Sequence, residues 1–366
     1  DVRGTVRTEA GGDVSMEDLI PNDGCVVTIT NEGVIKRTTV DEFKTQNRGG
    51  KGVIGSGQKN VDPVRLLKTC NAHDTLMFFM QNGRVYVEKA YEIPEGSRTS
   101  KGRNIINFLE MQKDEYVAAI IAVDDFASDD SLVLSTKKGV VKKSKINVYK
   151  NHRKGGIIAI NVDDGDEVLQ ALSIESEDQL LLLSRNGKGL RFDSSQLRDQ
   201  GRATRGVRGI RLKADDEVVN LLKVEDQKLL LIAGRNGLGI RTRFNSFLPN
   251  GGEPVDNEST VSPRKRGGQG VIAMNTDAVC GAISVEPSSE ILMITNAGQT
   301  VRCAVENIRE TNRGSKGVKL VNLSGKDNLV GVSEVIELDE EDSVNDEGES
   351  ISEKIEGIPD TIEENS

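Results

Sequence analysis

Short apolar runs, each broken by a glycine turn, recur along the chain. Val26-Val27-Thr28-Ile29-Thr30 leads into Asn31-Glu32-Gly33, and equivalent turns stand at Gln81-Asn82-Gly83, Lys137-Lys138-Gly139, Arg185-Asn186-Gly187, Arg235-Asn236-Gly237 and Asn296-Ala297-Gly298. Asn-Gly between β-branched or apolar runs is the strongest local hairpin signal, because both residues accept positive φ. Alternating strands follow the turns, as in Arg84-Val85-Tyr86-Val87 and Val140-Val141-Lys142-Lys143. A further apolar strand closes each unit after an acidic turn, as in Asp163-Asp164-Gly165-Asp166 before Val168-Leu169 and Ala214-Asp215-Asp216 before Val218-Val219. No helical period precedes the C-terminal tail. Each unit therefore predicts four short strands in about 50 residues, a period that indicates solenoids, propellers or arrays.

Antiparallel four-stranded units favour blades set radially, which leave only short, protected edges. The predicted fold is all-β with six blades over residues 21–336. Residues 1–20 read as a linker or a loosely attached strand, and Phe247 to Pro263 as an inserted surface loop. Trp is absent, so the WD dipeptide of the best-known propellers cannot occur. From Glu337 to Ser366 the chain holds 13 acidic residues and one lysine. Such a tail, residues 337–366, cannot bury enough apolar surface to order itself.

A second punctuation repeats in register. A glycine precedes a small apolar strand start at Gly52, Gly102, Gly156, Gly206, Gly270 and Gly317, at intervals of 50, 54, 50, 64 and 47 residues. Four residues earlier stand Arg48, Arg98, His152, Arg202, Arg266 and Arg313; one residue earlier stand Lys51, Lys101, Gly155, Arg205, Gln269 and Lys316. The first loop, Gln46-Asn47-Arg48-Gly49-Gly50-Lys51-Gly52, combines cations with glycines that let a backbone approach a phosphate closely.

The net charge of −10 conceals this pattern. Without the tail, 47 basic and 45 acidic residues remain, so the body is near neutral. The loops add Arg103, Arg153, Lys154, Arg208, Arg211, Arg264, Lys265 and Lys319, and the hairpins Lys36, Arg37, Lys142, Lys143, Lys188, Arg191, Arg241, Arg243 and Arg302. In a radial repeat, matching positions share one rim, and a recurring basic loop becomes a ring of positive charge. Aromatics make up 3% of the chain, too few for the stacking platforms of single-strand binders. No recognition helix offers side chains to base edges. The expected partner is duplex DNA, held through its backbone by counterion release and bent as it follows the rim.

Other chemistry finds little support. No GxxxxGK[ST] loop occurs. Asp129, Asp130, Asp163, Asp164 and Asp166 fall in repeated turns and read as turn caps. Cys25, Cys70, Cys280 and Cys303 form no CxxC pair, which favours reduced core thiols in a cytoplasmic protein. His73 and His152 are too few for a His-rich metal centre. No signal peptide or membrane span is apparent, and a first residue Asp1 suggests an excised or processed chain. No catalytic residue, metal or cofactor is expected.

The loop Gln46–Gly52 closely resembles the QRRGGKG box of the C-terminal domain of the DNA gyrase A subunit, with Asn47 as the one departure. Met16-Glu17-Asp18-Leu19-Ile20, Gly206-Val207-Arg208-Gly209-Ile210-Arg211-Leu212 and the acidic tail are also similar to that family. The resemblance covers essentially the whole chain, and in the related topoisomerase IV subunit the box is degenerate or absent. It implies a six-bladed β-pinwheel whose neighbouring blades exchange strands. It also implies DNA wrapped around the outer edge with positive handedness, so that strand passage by the whole enzyme introduces negative supercoils. The implied partners are duplex DNA, the gyrase B subunit, and the remainder of the gyrase A subunit. Box residues carried over are Gln46, Arg48, Gly49, Gly50, Lys51 and Gly52, while Asn47 replaces a cation. The catalytic tyrosine, the metal-binding fold and the ATPase lie in other parts of that enzyme. A propeller scaffold for proteins, the topoisomerase IV counterpart and a propeller enzyme with a central-channel site are the alternative readings.

Overall fold

The computed structural model describes residues 6–7, 13–40, 62, 64–97, 100–254, 260–276 and 278–335. The box at 46–52, Arg98 and the tail at 337–366 lie outside the described residues. Strands β1 (Val6–Arg7) and β2 (Asp13–Val14) form a short hairpin. The first unit then supplies β3 (Gly24–Thr30), β4 (Val34–Thr39) and β5 (Val64–Asn71). The second supplies β6 (Thr75–Met80), β7 (Arg84–Lys89), β8 (Arg103–Asn104) and β9 (Val117–Val123). The third runs through β10 (Ser131–Thr136), β11 (Val140–Lys145), β12 (Ile157–Ile158) and β13 (Val168–Ile174). The fourth has β14 (Gln179–Ser184), β15 (Lys188–Asp193), β16 (Val207–Arg208) and β17 (Val218–Lys223). The fifth has β18 (Leu229–Gly234), β19 (Leu238–Arg243), β20 (Val271–Ile272) and β21 (Val279–Val285). The sixth has β22 (Glu290–Thr295), β23 (Thr300–Ala304), β24 (Val318–Lys319) and β25 (Leu329–Glu334).

These strands build a six-bladed propeller, but the blades are not the sequence units. Each two-residue strand leaves its own unit and pairs antiparallel with the preceding hairpin: β8 on β4, β12 on β7, β16 on β11, β20 on β15 and β24 on β19. Five blades have four strands, whereas the sixth has the order β23-β22-β25. The stretch aligned by register with the exchanged strands, after Gly52, lies outside the described residues.

The glycine before each exchanged strand is fixed by this pairing. Gly206 has φ 80°, and a Cβ there would sit 2.7 Å from the Val141 carbonyl oxygen. Gly102, Gly156, Gly270 and Gly317 share the positive φ and lie against the matching carbonyl of their own blades. The hairpin turns differ from expectation. Only their glycines take positive φ; Asn82, Asn186 and Asn236 do not. Gly83 closes its turn by donating to the Met80 carbonyl at 3.0 Å, and the Asn82 side chain accepts from the Arg84 amide at 3.1 Å. Asn therefore caps the turn through its side chain.

Five apolar cores each join consecutive blades, and the central strands feed two cores at once. Leu180 and Leu182 point into the core shared with the third blade, while Leu181 and Leu183 point into that shared with the fifth. Burial on both faces accounts for the unbroken run Leu180–Leu183, where a half-buried strand would alternate. Among the described residues no such core joins the sixth blade to the first. The faces turned away from the cores leave Leu67 on β5 and Val330 on β25 exposed.

Gly206→Ala is expected to destabilise the chain by about 1–3 kcal/mol, because the side chain meets both a positive φ and a carbonyl. Gly201 has open space and no positive φ, so Gly201→Ala should change urea midpoints little. Equal midpoints for the two variants would contradict this assignment.

Candidate nucleic-acid interface

The basic loops precede the exchanged strands, and their backbones are linked in series. The Asn161 amide donates to the Thr204 carbonyl at 2.9 Å, so the fourth unit's loop lies against the chain leaving β12. The Gly267 amide donates to Gly209 O at 2.7 Å, and Arg211 N donates to Gly268 O at 2.8 Å, placing the fifth loop against the chain leaving β16. Gly314 N to Ala273 O and Asn275 N to Ser315 O, both 2.8 Å, repeat the arrangement between the sixth loop and the chain leaving β20. Three successive loops thus occupy one edge of the propeller.

The arginines in fixed register help build that edge. Arg266 donates to the Arg208 carbonyl at 2.5 Å, and Arg313 donates to Ile272 O at 3.0 Å and to Ser246 O at 2.6 Å. In both cases the acceptor includes the second residue of an exchanged strand. Their recurrence is therefore required by the fold as well as available to a ligand. Burial, reinforced by the positive charge of Arg264, holds the Arg313 guanidinium below its ordinary value. Arg264 and Arg266 are half-buried, and Gln196 joins them by donating to Arg264 O at 3.3 Å and accepting from Arg266 N at 2.8 Å.

Lys101, Arg103, Arg153, Lys154, Arg208, Lys265 and Lys316 are exposed and Arg202 is half-buried; none makes an ion pair among the described residues. Arg205 forms a pair with Asp163 at 2.5 Å, with 73% of its side chain exposed. Such a surface pair contributes little and exchanges readily. A cavity of 990 Å³ gathers Arg84, Lys150, His152, Arg153, Lys154 and Arg202, with Glu88 as its one carboxylate. The neighbouring cavity of 1030 Å³ mixes Arg205, Arg208 and Arg211 with Asp163, Asp215 and Glu217. Positive charge is thus concentrated at the first.

The hairpin cations have different work. Lys142 is 1% exposed and Arg191 is 2% exposed, so neither belongs to a solvent-facing ring. Arg191 holds Asp226 through two bonds of 2.8 Å. Arg37 and Lys143 pair with Glu95 and Asp199, and Arg243 with Glu310. Lys142 donates to the Ala159 and Arg202 carbonyls, joining the chain leaving β12 to the fourth basic loop. Burial, followed by the charge of Arg202, pushes its ammonium down to about 8.

Sequence reasoning overlooked Arg84, which donates to the Gly155 carbonyl. The exchanged-strand rungs show why it matters. Arg84 pairs with Ile158, Lys188 with Ile272, Val140 with Arg208, Leu238 with Lys319 and Val34 with Asn104. Each rung holds one aliphatic and one polar residue, but the two exchange places between successive blades. The signal in the sequence was the residue directly after the hairpin glycine, read together with the second residue of the next exchanged strand. No group of three metal-ligating side chains occurs among the described residues, and no described helix is long and apolar enough to cross a membrane.

A family model described as "DNA gyrase C-terminal domain, beta-propeller" matches residues 26–63, 74–124, 130–175, 178–225, 257–278 and 289–344. The chain belongs to that family. It is 38% identical over 346 residues to the DNA gyrase A subunit of Mycolicibacterium smegmatis, covering 93% of this chain and 39% of that protein. The chain therefore spans about two fifths of the relative's length. A solved structure of a DNA gyrase A C-terminal domain superposes with a TM-score of 0.67 at 27% identity, covering 86% of this chain and 100% of that one. The C-terminal domain of a DNA topoisomerase IV shares the fold, with a TM-score of 0.68 at 22% identity, covering 86% of this chain and 94% of that one.

Because the folded-state ammonium of Lys142 lies below its unfolded value of 10.5, the cost of burying its charge is present below about pH 8 and relieved as pH rises. Its contribution to stability should increase between about pH 8 and 10.5, by at most about 1.4 kcal/mol per pH unit. Denaturant unfolding of Lys142→Met should lack that increment relative to wild type, and parallel pH profiles would refute it.

Proposed function

We propose that this chain binds duplex DNA along its loop-bearing edge and bends it, giving a gyrase the positively handed wrap from which it introduces negative supercoils. Support comes from one arrangement: basic loops linked in series along an edge, with many of their cations free of carboxylates among the described residues. A duplex carries one negative charge per about 1.7 Å of axis, so a continuous cationic edge releases counterions with little regard to sequence. Bending follows if the duplex keeps contact with successive blades.

In this reading Arg153, Lys154, Arg202, Arg205, Arg208, Lys101, Arg103, Lys265 and Lys316 contact phosphates. Arg266 and Arg313 hold the loops while adding to the local potential, to which Arg264 also contributes. Arg98 and the box residues Gln46, Arg48, Gly49, Gly50, Lys51 and Gly52 extend the same contact on family resemblance. The partners are the gyrase B subunit, in the cytoplasm, together with the remainder of the gyrase A subunit. The ATP-dependent chemistry belongs to those parts, and this chain acts without a catalytic residue or cofactor of its own. The acidic tail at 337–366 competes with DNA for the cations.

Duplex affinity of the isolated chain should fall steeply as salt rises. Neutralising Arg202 should flatten the slope of log affinity against log salt by about one, and Arg153→Ala with Lys154→Ala by about two. Asn104→Arg should steepen it by placing a cation on the first blade's rung. A salt-independent affinity would reject the proposal.

In a reconstituted gyrase, Arg48→Ala with Lys51→Ala should abolish ATP-driven supercoiling while relaxation persists. Unchanged supercoiling would remove the box from the wrap. Truncation before Glu337 should raise DNA affinity at low salt, and an unchanged affinity would dismiss competition by the tail.

A further inference from the structure

Cys25 on β3 and Cys70 on β5 are direct partners across the ladder, and their sulfurs lie 3.5 Å apart. Both are buried and reduced. The propeller repeat does not require cysteine here. At the position of Cys70, the other five blades carry Val123, Ile174, Val224, Val285 and Val335. The first blade alone has cysteine at both ends of this rung.

The backbone suits a bond. Ala72 N donates to Asp23 O at 2.9 Å two residues along the ladder, which gives the Cys25–Cys70 rung the same hydrogen-bonded phase. Such a rung separates Cα atoms by about 5.5 Å, within the disulfide range of roughly 4.4–6.8 Å. The sulfurs need close only about 1.5 Å to reach the bonded distance of about 2.05 Å, a movement within reach of side-chain rotation.

We propose that Cys25 and Cys70 form a reversible dithiol–disulfide couple, a peroxide-modifiable site in the first blade. The two sulfurs have different roles. A hydrogen bond from Cys70 holds the Cys25 thiol below its ordinary value, with the Arg37 charge acting in the same direction, while Cys70 is pushed up. Cys25 is the attacking thiolate, because the thiolate is the reactive form. It attacks one peroxide oxygen; the S–O bond forms, the O–O bond breaks and hydroxide leaves, giving a sulfenic acid. The Cys70 sulfur then attacks the Cys25 sulfur. The S–S bond forms, the S–O bond breaks and the hydroxyl departs as water with the Cys70 proton. Two electrons pass from the thiols to the peroxide, and a thiol reductant reverses the change. The product covalently closes residues 26–69, a stretch that contains the box at 46–52.

The test treats the whole folded chain with hydrogen peroxide, quenches with N-ethylmaleimide in denaturant, and reads intact mass and mapped peptides. The expected result is an intact chain carrying two N-ethylmaleimide adducts where the untreated chain, with its four free cysteines, carries four, together with one peptide pair joined through Cys25 and Cys70, alkylated Cys280 and Cys303, and full reversal by dithiothreitol. Cys70→Val, which installs the residue found in four other blades and leaves the Arg37 charge to favour the Cys25 thiolate, should leave a sulfenic acid at Cys25 that dimedone captures. Cys25→Ser should give neither product. Recovery of Cys25 and Cys70 as alkylated thiols after treatment would overturn the proposal, as would a crosslink through Cys280 or Cys303.

Discussion

The propeller depends on a two-residue strand that crosses from one unit to the hairpin before it. So short a strand contributes few ladder bonds, and its placement must be secured by the backbone around it. The glycine ahead of it supplies the security: at Gly206 the positive φ turns the chain into the edge of β11, and the absent Cβ lets it lie against Val141 O. Beyond the strand, the chain continues against the next unit's loop. Each exchange therefore fixes the edge of one blade and the seat of the following basic loop together.

Positive charge in this chain has two occupations that sequence does not distinguish. Arg191, Lys142, Arg266 and Arg313 direct their donors at carboxylates or backbone carbonyls inside the fold. Lys101, Arg153, Lys154 and Lys316 stand exposed without ion pairs among the described residues. Burying a cation is tolerable only when acceptors replace its water, so the structural cations lie where chain crossings bring carbonyls together. The remaining cations stay solvated beside them, and their charge is disposable to a polyanion. An edge assembled by arginine latches is consequently electropositive before any contact residue is counted.

The architecture was largely legible because each hairpin repeats its turn glycine and its apolar runs, and period-two and radial arguments need nothing more. What could not be read was the strand exchange from periodicity alone, since Val207–Arg208 looks the same whether it pairs within its unit or with the preceding blade. The same limit applied to the arginine register. Recurrence of Arg202, Arg266 and Arg313 resembled a ligand signature, yet latching to an exchanged strand imposes the spacing for two of them. Lys142 was misplaced on the exposed edge because a lysine in a short hairpin strand reads as solvent-facing, and only the crossing of the chain near Ala159 and Arg202 explains a buried ammonium there. Arg84 passed unnoticed because it sits in a strand rather than in a glycine loop.

The exchanged rungs also change what counts as the repeat. In the first, third and fifth blades the hairpin side of the rung is aliphatic, at Val34, Val140 and Leu238, and the polar residue arrives on the exchanged strand. In the second and fourth the hairpin supplies Arg84 or Lys188, and isoleucine arrives from the next unit. The parallel bridges Arg37 to Glu95, Lys143 to Asp199 and Arg241 to Glu310 fall only in the first set among the described residues. Two independent features thus share a period of two blades. A cross-strand neighbour with an aliphatic side chain gives the stem of a long cation an apolar surface to lie along, leaving its head in water. Either strand can supply the cation as long as the other supplies that surface. Position along the edge, rather than identity at any one repeat position, is therefore what the fold maintains, and an edge of this kind suits a ligand whose charges are spaced along a line and need no particular residue opposite each one.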